Sequence, residues 1–208
     1  MRAVSLLFVS VGTDHHPFDR LLGWVRDWAC DHPRWELQVQ HGLSADPGLG
    51  GGAGTAFAFC DHDRLQELLG LADAVVSHGG PATITEARRY GHVPVVVPRD
   101  PTLGEHVDGH QQAFARRLGA AGLVHLAQTR AEFVAALDGV TAAPPTPAQR
   151  AAGLATRAVP PGVHGVGAAV EDVVRSRPRR GAGRAHRWSV ISSNTRRASS
   201  GSSPPAAD

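Results

Sequence analysis

One stretch of the sequence, Val75–Ala87, combines the residue types that hold an anionic ligand. An apolar run ends there at Gly79 and Gly80, and a helix is expected to begin directly after them. Glycines allow a ligand to approach the backbone closely, and the free N–H groups at a helix N-terminus attract a diphosphate. Thr83 adds a hydroxyl donor, and Glu86, in the second helical turn, could accept both hydroxyls of a ribose. The alternative is a plain glycine turn followed by a helix with a surface glutamate.

A second polar stretch, Arg99–Gln112, is dense in side chains that form hydrogen bonds. Gln111 falls at the predicted start of a helix, where its amide could bind sugar hydroxyls. His106 and His110 are four residues apart, a spacing that could place two imidazoles on one metal ion. The spacing gives them no third ligand, and a zinc site uses at least three protein ligands. We therefore predict no metal site.

Strands and helices alternate along the chain and must position these residues. The first predicted strand, Ala3–Val11, is a nearly continuous apolar run, as expected for a strand buried in a parallel sheet. The other predicted strands are Trp35–Gln40, Thr55–Phe59, Asp73–Ser77, Val93–Val97 and Leu123–Leu126. The predicted helices lie near Phe18–Trp28, Leu65–Leu69, Pro81–Tyr90, Asp108–Ala121, Arg130–Leu137, Pro147–Arg157 and Val163–Arg175. This alternation predicts an α/β fold with a doubly wound, Rossmann-like parallel sheet.

Composition divides the chain into two parts. Residues 1–175 form the predicted domain, and residues 176–208, rich in arginine, serine, proline and glycine, form a predicted disordered tail. The tail holds seven of the chain's 21 basic residues and one of its 19 acidic residues, so the domain keeps 14 against 18, a net charge of −4. A mildly acidic domain argues against nucleic-acid binding.

Scarce residue types exclude further classes of protein. The chain has no lysine, which excludes Schiff-base chemistry, a P-loop lysine and a serine–lysine dyad. Its two cysteines, Cys30 and Cys60, exclude a disulfide-rich scaffold and a four-cysteine zinc site. No apolar run reaches the roughly 18 residues of a transmembrane helix.

Taken together, the polar segments resemble the C-terminal, nucleotide-sugar-binding domain of glycosyltransferase family 28 over roughly residues 3–140. The likeness is greatest to the small catalytic subunits of split enzymes, such as the PssE-like subunits of exopolysaccharide synthesis. The segments that carry it are Val9–Thr13, Gln40–Gly42, Ala72–Gly80 with Thr83 and Glu86, Gly91–Arg99, and Gly104–His106 with Asp108, His110 and Gln111. The resemblance implies one domain of the GT-B C-terminal type that binds a UDP-sugar.

The resemblance implies a role for each residue of the glycine turn. Gly79, Gly80 and Thr83 would hold the diphosphate, and Glu86 would hold the ribose diol. Pro81 stands where many relatives have a small residue, and proline has no N–H to donate. One backbone donor to the phosphates is therefore missing.

The other loops supply the rest of the implied site. His110 and Gln111 would face the sugar, and the backbone around His62 would hold the uracil. Gly12 and Thr13 would line the cleft beside the phosphates. The remaining predicted substrate-binding residues, which belong to the same motifs, are Ser77, His78, Arg99 and Glu105.

The implied chemistry is an inverting transfer, in which an acceptor hydroxyl attacks the anomeric carbon and UDP leaves. The glycine turn and the helix N-terminus would stabilise the leaving diphosphate without a metal, so no cofactor is expected. His15 or His16, on the loop after the first strand, is the predicted base because histidine titrates near neutral pH. The alternatives are that both histidines simply face solvent, or that another chain supplies the base.

Transferases of this architecture use two such domains that face each other across a cleft, and this sequence predicts one. We therefore expect an acceptor-binding partner chain, membrane-associated where the acceptor is lipid-linked. The domain would then be cytoplasmic, held by its partner at the inner face of the membrane. Two other functions stay open, a non-catalytic nucleotide-sugar-binding module and a sugar-nucleotide epimerase or hydrolase of related fold.

Overall fold

A computed structural model of the chain describes residues 4–49, 53–144, 146, 148 and 149, and within them lies a six-stranded sheet. Its strands are β1 (Ser5–Ser10), β2 (Trp35–Gln40), β3 (Gly54–Phe57), β4 (Ala74–His78), β5 (Val95–Val97) and β6 (His125–Leu126). All neighbouring pairs are parallel, in the order β3-β2-β1-β4-β5-β6. The six predicted strands are all present, and the predicted α/β fold with a doubly wound, Rossmann-like parallel sheet is confirmed.

Five helices connect or follow the strands in the described residues. They are α1 (Asp19–Asp31), α2 (His62–Leu71), α3 (Pro81–Arg89), α4 (His110–Ala120) and α5 (Arg130–Ala142), with one turn of 3₁₀ helix at Pro101–Leu103. α2 begins earlier than predicted because the Asp61 carboxylate caps it by accepting from the N–H of Arg64 at 2.8 Å. The predicted helices at Pro147–Arg157 and Val163–Arg175 lie almost entirely outside the described residues, as does the predicted tail.

Helices cover both faces of the sheet, and the strand residues alternate between them. On one face, Val9 and Val76 belong to a core cluster with Trp28 of α1 and Phe133 of α5. The residues packed on the other face, against α2, α3 and α4, include Phe8, Val75, Leu68, Ala87, Val96, Ile84 and Leu118. β1, β4 and β5 are buried on both faces and are mainly apolar, which explains why their positions were readable from the sequence.

The strand order places β1 beside β4 at the middle of the sheet, with Ser10 opposite Ser77 at their carboxyl ends. From β1 the chain continues to β2 and β3 on one side, and from β4 to β5 and β6 on the other. The loops after β1 and β4 therefore lead away in opposite directions and leave a crevice between them.

No helix in the described ranges combines the length and the hydropathy that crossing a bilayer requires.

Candidate functional site

A cavity of about 370 Å³ occupies the crevice at the carboxyl ends of β1 and β4. Six of the predicted substrate-binding residues line it, namely Gly12, Thr13, His62, His78, Gly80 and Thr83. The other lining residues are Gln40, Cys60, Asp61, Leu65, Pro81 and Ala82. The structure thus brings the loops after β1, β3 and β4 together around one space, as a ligand site at the switch point of this sheet requires.

A larger cavity, of about 490 Å³, lies at the opposite end of β4, where Asp73, Ala74 and Val75 line it together with Gly91 and Val140. The amino ends of the strands carry none of the predicted site residues. Ligands of doubly wound sheets bind at the carboxyl ends. We therefore take the smaller cavity as the candidate site.

The His78 ring is packed between the two glycine turns of the cavity. A Cβ atom added to Gly12 would lie 2.5 Å from the ring, and one added to Gly80 would lie 2.1 Å from it. Gly12 also has a φ of 79°, a conformation that side chains disfavour. Both positions require glycine because the imidazole occupies the space of their side chains.

His78 is uncharged at neutral pH. Burial and the nearby Arg99 guanidinium lower the pKa of its imidazole to about 4. Its Nδ1 lies 3.4 Å from the carbonyl oxygen of Ser10. The cavity therefore contains a neutral imidazole, which forms directional hydrogen bonds without adding a fixed charge.

The N-terminal turn of α3 forms one wall of the cavity. Gly80 is the N-cap residue in an extended conformation, and Pro81 is the first helical residue. The first N–H groups of a helix have no intrahelical partner, so Ala82 and Thr83 offer backbone donors where they line the cavity. The positive end of the helix dipole adds to their attraction for an anion.

Two oxygens near the glycine turn are buried without a hydrogen-bond partner in the described structure. One is Oε2 of Glu86, whose Oε1 accepts from Arg89 at 2.6 Å. The other is Oε1 of Gln111, whose side chain packs 3.0 Å from the position that a Cβ of Gly79 would take. An unsatisfied buried acceptor costs about 1–3 kcal/mol. Neither residue is among those that line the cavity, so a ligand that bonded to both would extend beyond it.

The loop after β1 holds a histidine–aspartate pair. The Asp14 carboxylate accepts from the backbone N–H of His16 at 2.8 Å, and the same oxygen lies 2.7 Å from Nδ1 of that imidazole. Burial raises the pKa of Asp14, but the hydrogen bonds from His16 and the charges of Arg99 and His106 have the larger, opposite effect. The pKa of Asp14 is therefore lowered to about 2. His15 lies farther away, with Nδ1 at 3.6 Å and 75% of its side chain exposed.

The Asp14–His16 pair continues into the loop that precedes α4. Oδ2 of Asp14 lies 3.4 Å from Nε2 of His106, and His110 contacts the Asp108 carboxylate through Nδ1. We call this set the histidine rim; its members are Asp14, His15, His16, His106, Asp108 and His110. No motif or spacing indicates that residues 14–16 and 106–110 meet.

A family model of the glycosyltransferase family 28 C-terminal domain matches residues 50–163, more than half of the 208-residue chain. The chain belongs to this family. The resemblance drawn from its motifs is therefore confirmed. The match begins after β2, so the first loop with Gly12 and His16 lies outside it. A search of curated proteins found no match to this family 28 chain.

Solved structures support the fold of the family 28 domain. The glycotransferase of kitacinnamycin is 22% identical with a TM-score of 0.56, over 82% of this chain and 43% of its own. CalG4, the calicheamicin glycosyltransferase, is 20% identical with a TM-score of 0.52, over 84% of this chain and 45% of its own. These likenesses show the GT-B fold, and this chain spans less than half the length of either structure.

Three residues predicted to touch substrate lie inside the family 28 domain and bind protein groups. The Ser77 hydroxyl donates to the carbonyl of His78 at 2.9 Å. Arg99 is 1% exposed and donates to the carbonyls of Val11 at 2.9 Å and His16 at 2.6 Å. The buried carboxylate of Glu105 accepts from other protein groups. These contacts favour positioning roles rather than the predicted direct contact with substrate.

Sequence reasoning missed three residues that hold the site of the family 28 domain in place. Arg20 binds both carboxylate oxygens of Glu105, at 2.8 and 2.7 Å. Gln40 accepts from the Ser10 hydroxyl at 2.7 Å beneath the cavity. Of the three, only Asp14 could have been found from the local sequence, because an aspartate often accepts from the backbone N–H two residues on, here that of His16. The other two contacts join residues 85 and 30 positions apart, which no spacing rule connects.

Proposed function

We propose that this family 28 domain binds a UDP-sugar and transfers its hexose or N-acetylhexosamine to an acceptor. The observation that carries the proposal is the cavity at the switch point, where the Gly79–Gly80 turn and the first turn of α3 meet the loop after β1. Backbone donors at a helix N-terminus fit a diphosphate. The donors that would bind it are the N–H groups of Ala82 and Thr83 and the Thr83 hydroxyl.

The nucleoside would extend from the diphosphate along α3 and α2. The unpartnered Oε2 of Glu86 would accept from the ribose hydroxyls. The uracil would lie near His62, the first residue of α2, whose exposed ring borders the same cavity. On the sugar side, the unpartnered oxygen of Gln111 would accept from a sugar hydroxyl, with His110 beside it.

His16 is the better candidate for the base of the two adjacent histidines. The Asp14 carboxylate at Nδ1 favours the tautomer with its proton there, which leaves Nε2 as the acceptor. The acceptor hydroxyl would attack the anomeric carbon and give its proton to Nε2. The bond from that carbon to the diphosphate oxygen would break, and UDP would leave with the electron pair. Backbone donors would stabilise this charge, so the step requires no metal.

An acceptor-binding partner chain would complete the enzyme. This chain spans less than half the length of the two similar glycosyltransferase structures. Leu43, Leu103 and Val107, which follow β2 and β5, are large apolar side chains that stand exposed. We propose that the partner covers this edge and, where the acceptor is lipid-linked, holds the domain at the cytoplasmic face of a membrane.

Calorimetry of the whole chain with UDP, UDP-GlcNAc, UDP-glucose and ADP tests donor binding. We expect UDP to bind more tightly than ADP, and Glu86→Gln to weaken UDP binding about tenfold, a loss of roughly 1.4 kcal/mol, because a charged acceptor for the ribose is removed.

Glu67→Gln is the matched control for this substitution. Glu67 forms the same i,i+3 contact with an arginine at 2.6 Å on α2, but its side chain is 55% exposed, whereas that of Glu86 is 14% exposed. The donor-site assignment is wrong if ADP binds as well as UDP, or if the two variants behave alike.

Turnover with the partner present separates transfer from the other two functions. We expect His16→Gln to lower kcat about 100-fold or more while UDP affinity stays unchanged, because a general base acts on the reaction step. His15→Gln, whose ring is exposed, is the control. A module without catalysis would show no turnover with any partner, and an epimerase or hydrolase would consume UDP-sugar without an acceptor.

A further inference from the structure

The loop between β5 and α4 carries three metal-binding side chains at alternate positions, His106, Asp108 and His110. Their ligand atoms all lie within 4.8 Å of one another. Nδ1 of His106 is 3.8 Å from Oδ1 of Asp108, and Nδ1 of His110 contacts the same oxygen. Ligands of tetrahedral zinc, each about 2.0–2.1 Å from the ion, lie roughly 3.3 Å from each other. The backbone N–H of Asp108 donates to Nδ1 of His106 at 3.3 Å, so an ion bound by all three groups would take the place of this hydrogen bond.

Two imidazoles and a carboxylate suit a transition-metal ion such as Zn²⁺. From the sequence, His106 and His110 are four residues apart and the spacing identifies no third ligand. The structure adds Asp108, because the loop folds the carboxylate back between the two rings. With three protein ligands, one coordination position is left for water or another group.

A second carboxylate independently supports the site. Nε2 of His106 lies 3.4 Å from Oδ2 of Asp14, on the opposite side of the ring from Nδ1, which faces Asp108. A metal-binding histidine almost always donates its other N–H to a carboxylate, a backbone carbonyl or a water, and Asp14 is the carboxylate in reach of Nε2. The His106 side chain is only 10% exposed, so this orientation is held by packing as well.

The two loops are also held in register before any ion binds. Arg99 donates to the carbonyl of His16 at 2.6 Å and to that of Glu105 at 3.1 Å, which fixes the first loop beside His106. The Glu105 carboxylate accepts from the N–H of Asp100 at 2.8 Å and closes the β5 loop on itself. Such support lets a loop site bind without folding first.

We propose that His106, Asp108 and His110 bind a divalent transition-metal ion, with Asp14 as the outer carboxylate. The ion fastens the loop before α4 to the loop after β1 at the edge where an acceptor would enter. It lies outside the diphosphate site, and the proposal does not depend on UDP binding.

The test uses the whole untagged chain, stripped with a chelator and titrated with Co²⁺ and Zn²⁺. We expect saturable binding, the visible absorption of tetrahedral Co²⁺, and a higher Tm with Zn²⁺, since an ion bound to the folded state stabilises it. Asp108→Asn and His110→Ala should abolish the Co²⁺ signal. Asp14→Asn should weaken binding about 10–100-fold, as loss of an outer carboxylate does.

Both Asp108 and His110 are partly exposed, so their variants are expected to fold, and their unfolding curves without metal check this. His125→Ala, an exposed position on β6, is the control and should bind as the wild type does. No saturable binding would overturn the proposal. So would binding that survives Asp108→Asn and His110→Ala, or that is lost only in His15→Ala. UDP calorimetry with the chelator present measures donor binding without metal, so a failure of the metal proposal can be told apart from a failure of the donor-site proposal.

Discussion

The cavity at the β1–β4 switch point and the histidine rim lie at the same edge of the sheet, but they are built in different ways. The cavity is made of backbone turns, a helix N-terminus and the neutral His78. The histidine rim is made of ionisable side chains from two distant segments. The cavity depends on the absence of side chains at Gly12 and Gly80. The histidine rim depends on contacts with other residues that hold its two loops in place.

This difference shows where each region is sensitive. A cavity lined by glycine turns is harmed when a side chain is added to it. The histidine rim is harmed when a buried contact is removed. Arg99 joins the two regions, because it donates to the carbonyl of Val11 behind the Gly12 turn and to those of His16 and Glu105 in the two rim loops.

The largest expected effect is therefore at Arg99. Arg99→Met should lower the free energy of unfolding by about 4 kcal/mol, because it leaves the buried carbonyl groups of Val11, His16 and Glu105 without this donor. Denaturant unfolding measures this loss. Arg26→Met, at an exposed residue paired with Asp27 at 3.6 Å, is the control and should change the free energy by less than about 0.5 kcal/mol. Equal effects would mean that Arg99 does not join the two regions.

Acid should weaken the cavity first. The pKa of His78 is lowered from 6.5 to about 4 in the folded chain, so the unfolded state binds more protons between these values. Stability should fall as the pH drops through this window, by about 3 kcal/mol in total. Unfolding curves at pH 6.5 and pH 4 measure the loss.

His78→Gln removes this titrating group and should reduce the pH dependence, whereas His125→Gln on β6 should not. Burial also lowers the pKa of His106, so part of the dependence should remain. The pKa of Asp14 is lowered from 3.8 to about 2, so the pH range in which it affects stability lies below that of His78 and does not overlap with it. If His78→Gln loses as much stability between pH 6.5 and pH 4 as the unmodified chain does, the His78 imidazole is not the cause.

A smaller effect is expected from adding one methyl group to the glycine turn. Gly80→Ala places Cβ 2.1 Å from Nε2 of His78, so the ring must move, at a cost of about 2 kcal/mol and a weaker affinity for UDP. Gly23→Ala in α1, where a Cβ has no neighbour within 4 Å, should instead gain about 0.5–1 kcal/mol. If His78→Ala does not relieve the Gly80→Ala loss in the double variant, the steric explanation is wrong.

The fold was predictable because the central strands of this sheet are local apolar runs, as Val93–Val97 is. Trp35–Gln40 alternates apolar and polar residues instead, and β2 has the predicted bounds. The first residues of the helices were harder to predict from the sequence. α4 begins at His110 rather than at the predicted Asp108, because the Asp108 carboxylate accepts from the N–H of His110 at 3.0 Å and stays outside the helix.

The cavity was predictable for a similar reason, since the Gly79–Gly80 turn and α3 are adjacent in the chain. The histidine rim was not, because Asp14 and His106 meet only through the strand order. Arg99 and Glu105 were assigned to substrate because they belong to the motifs that carry the family resemblance. Their burial comes from contacts with Val11 and Arg20, which are 88 and 85 positions away in sequence.

Cys60 gives the cavity a natural chemical reporter. Its thiol lies in the cavity wall, and burial together with the Asp61 carboxylate raises its pKa, so it alkylates slowly. Cys30 stands exposed on α1, away from the cavity lining, and serves as an internal reference in the same molecule. The ratio of label at the two sulfurs, read by mass spectrometry, therefore measures occupancy of the cavity in the unmodified sequence. Because the chain has no lysine, amine-directed reagents cannot report from any side chain.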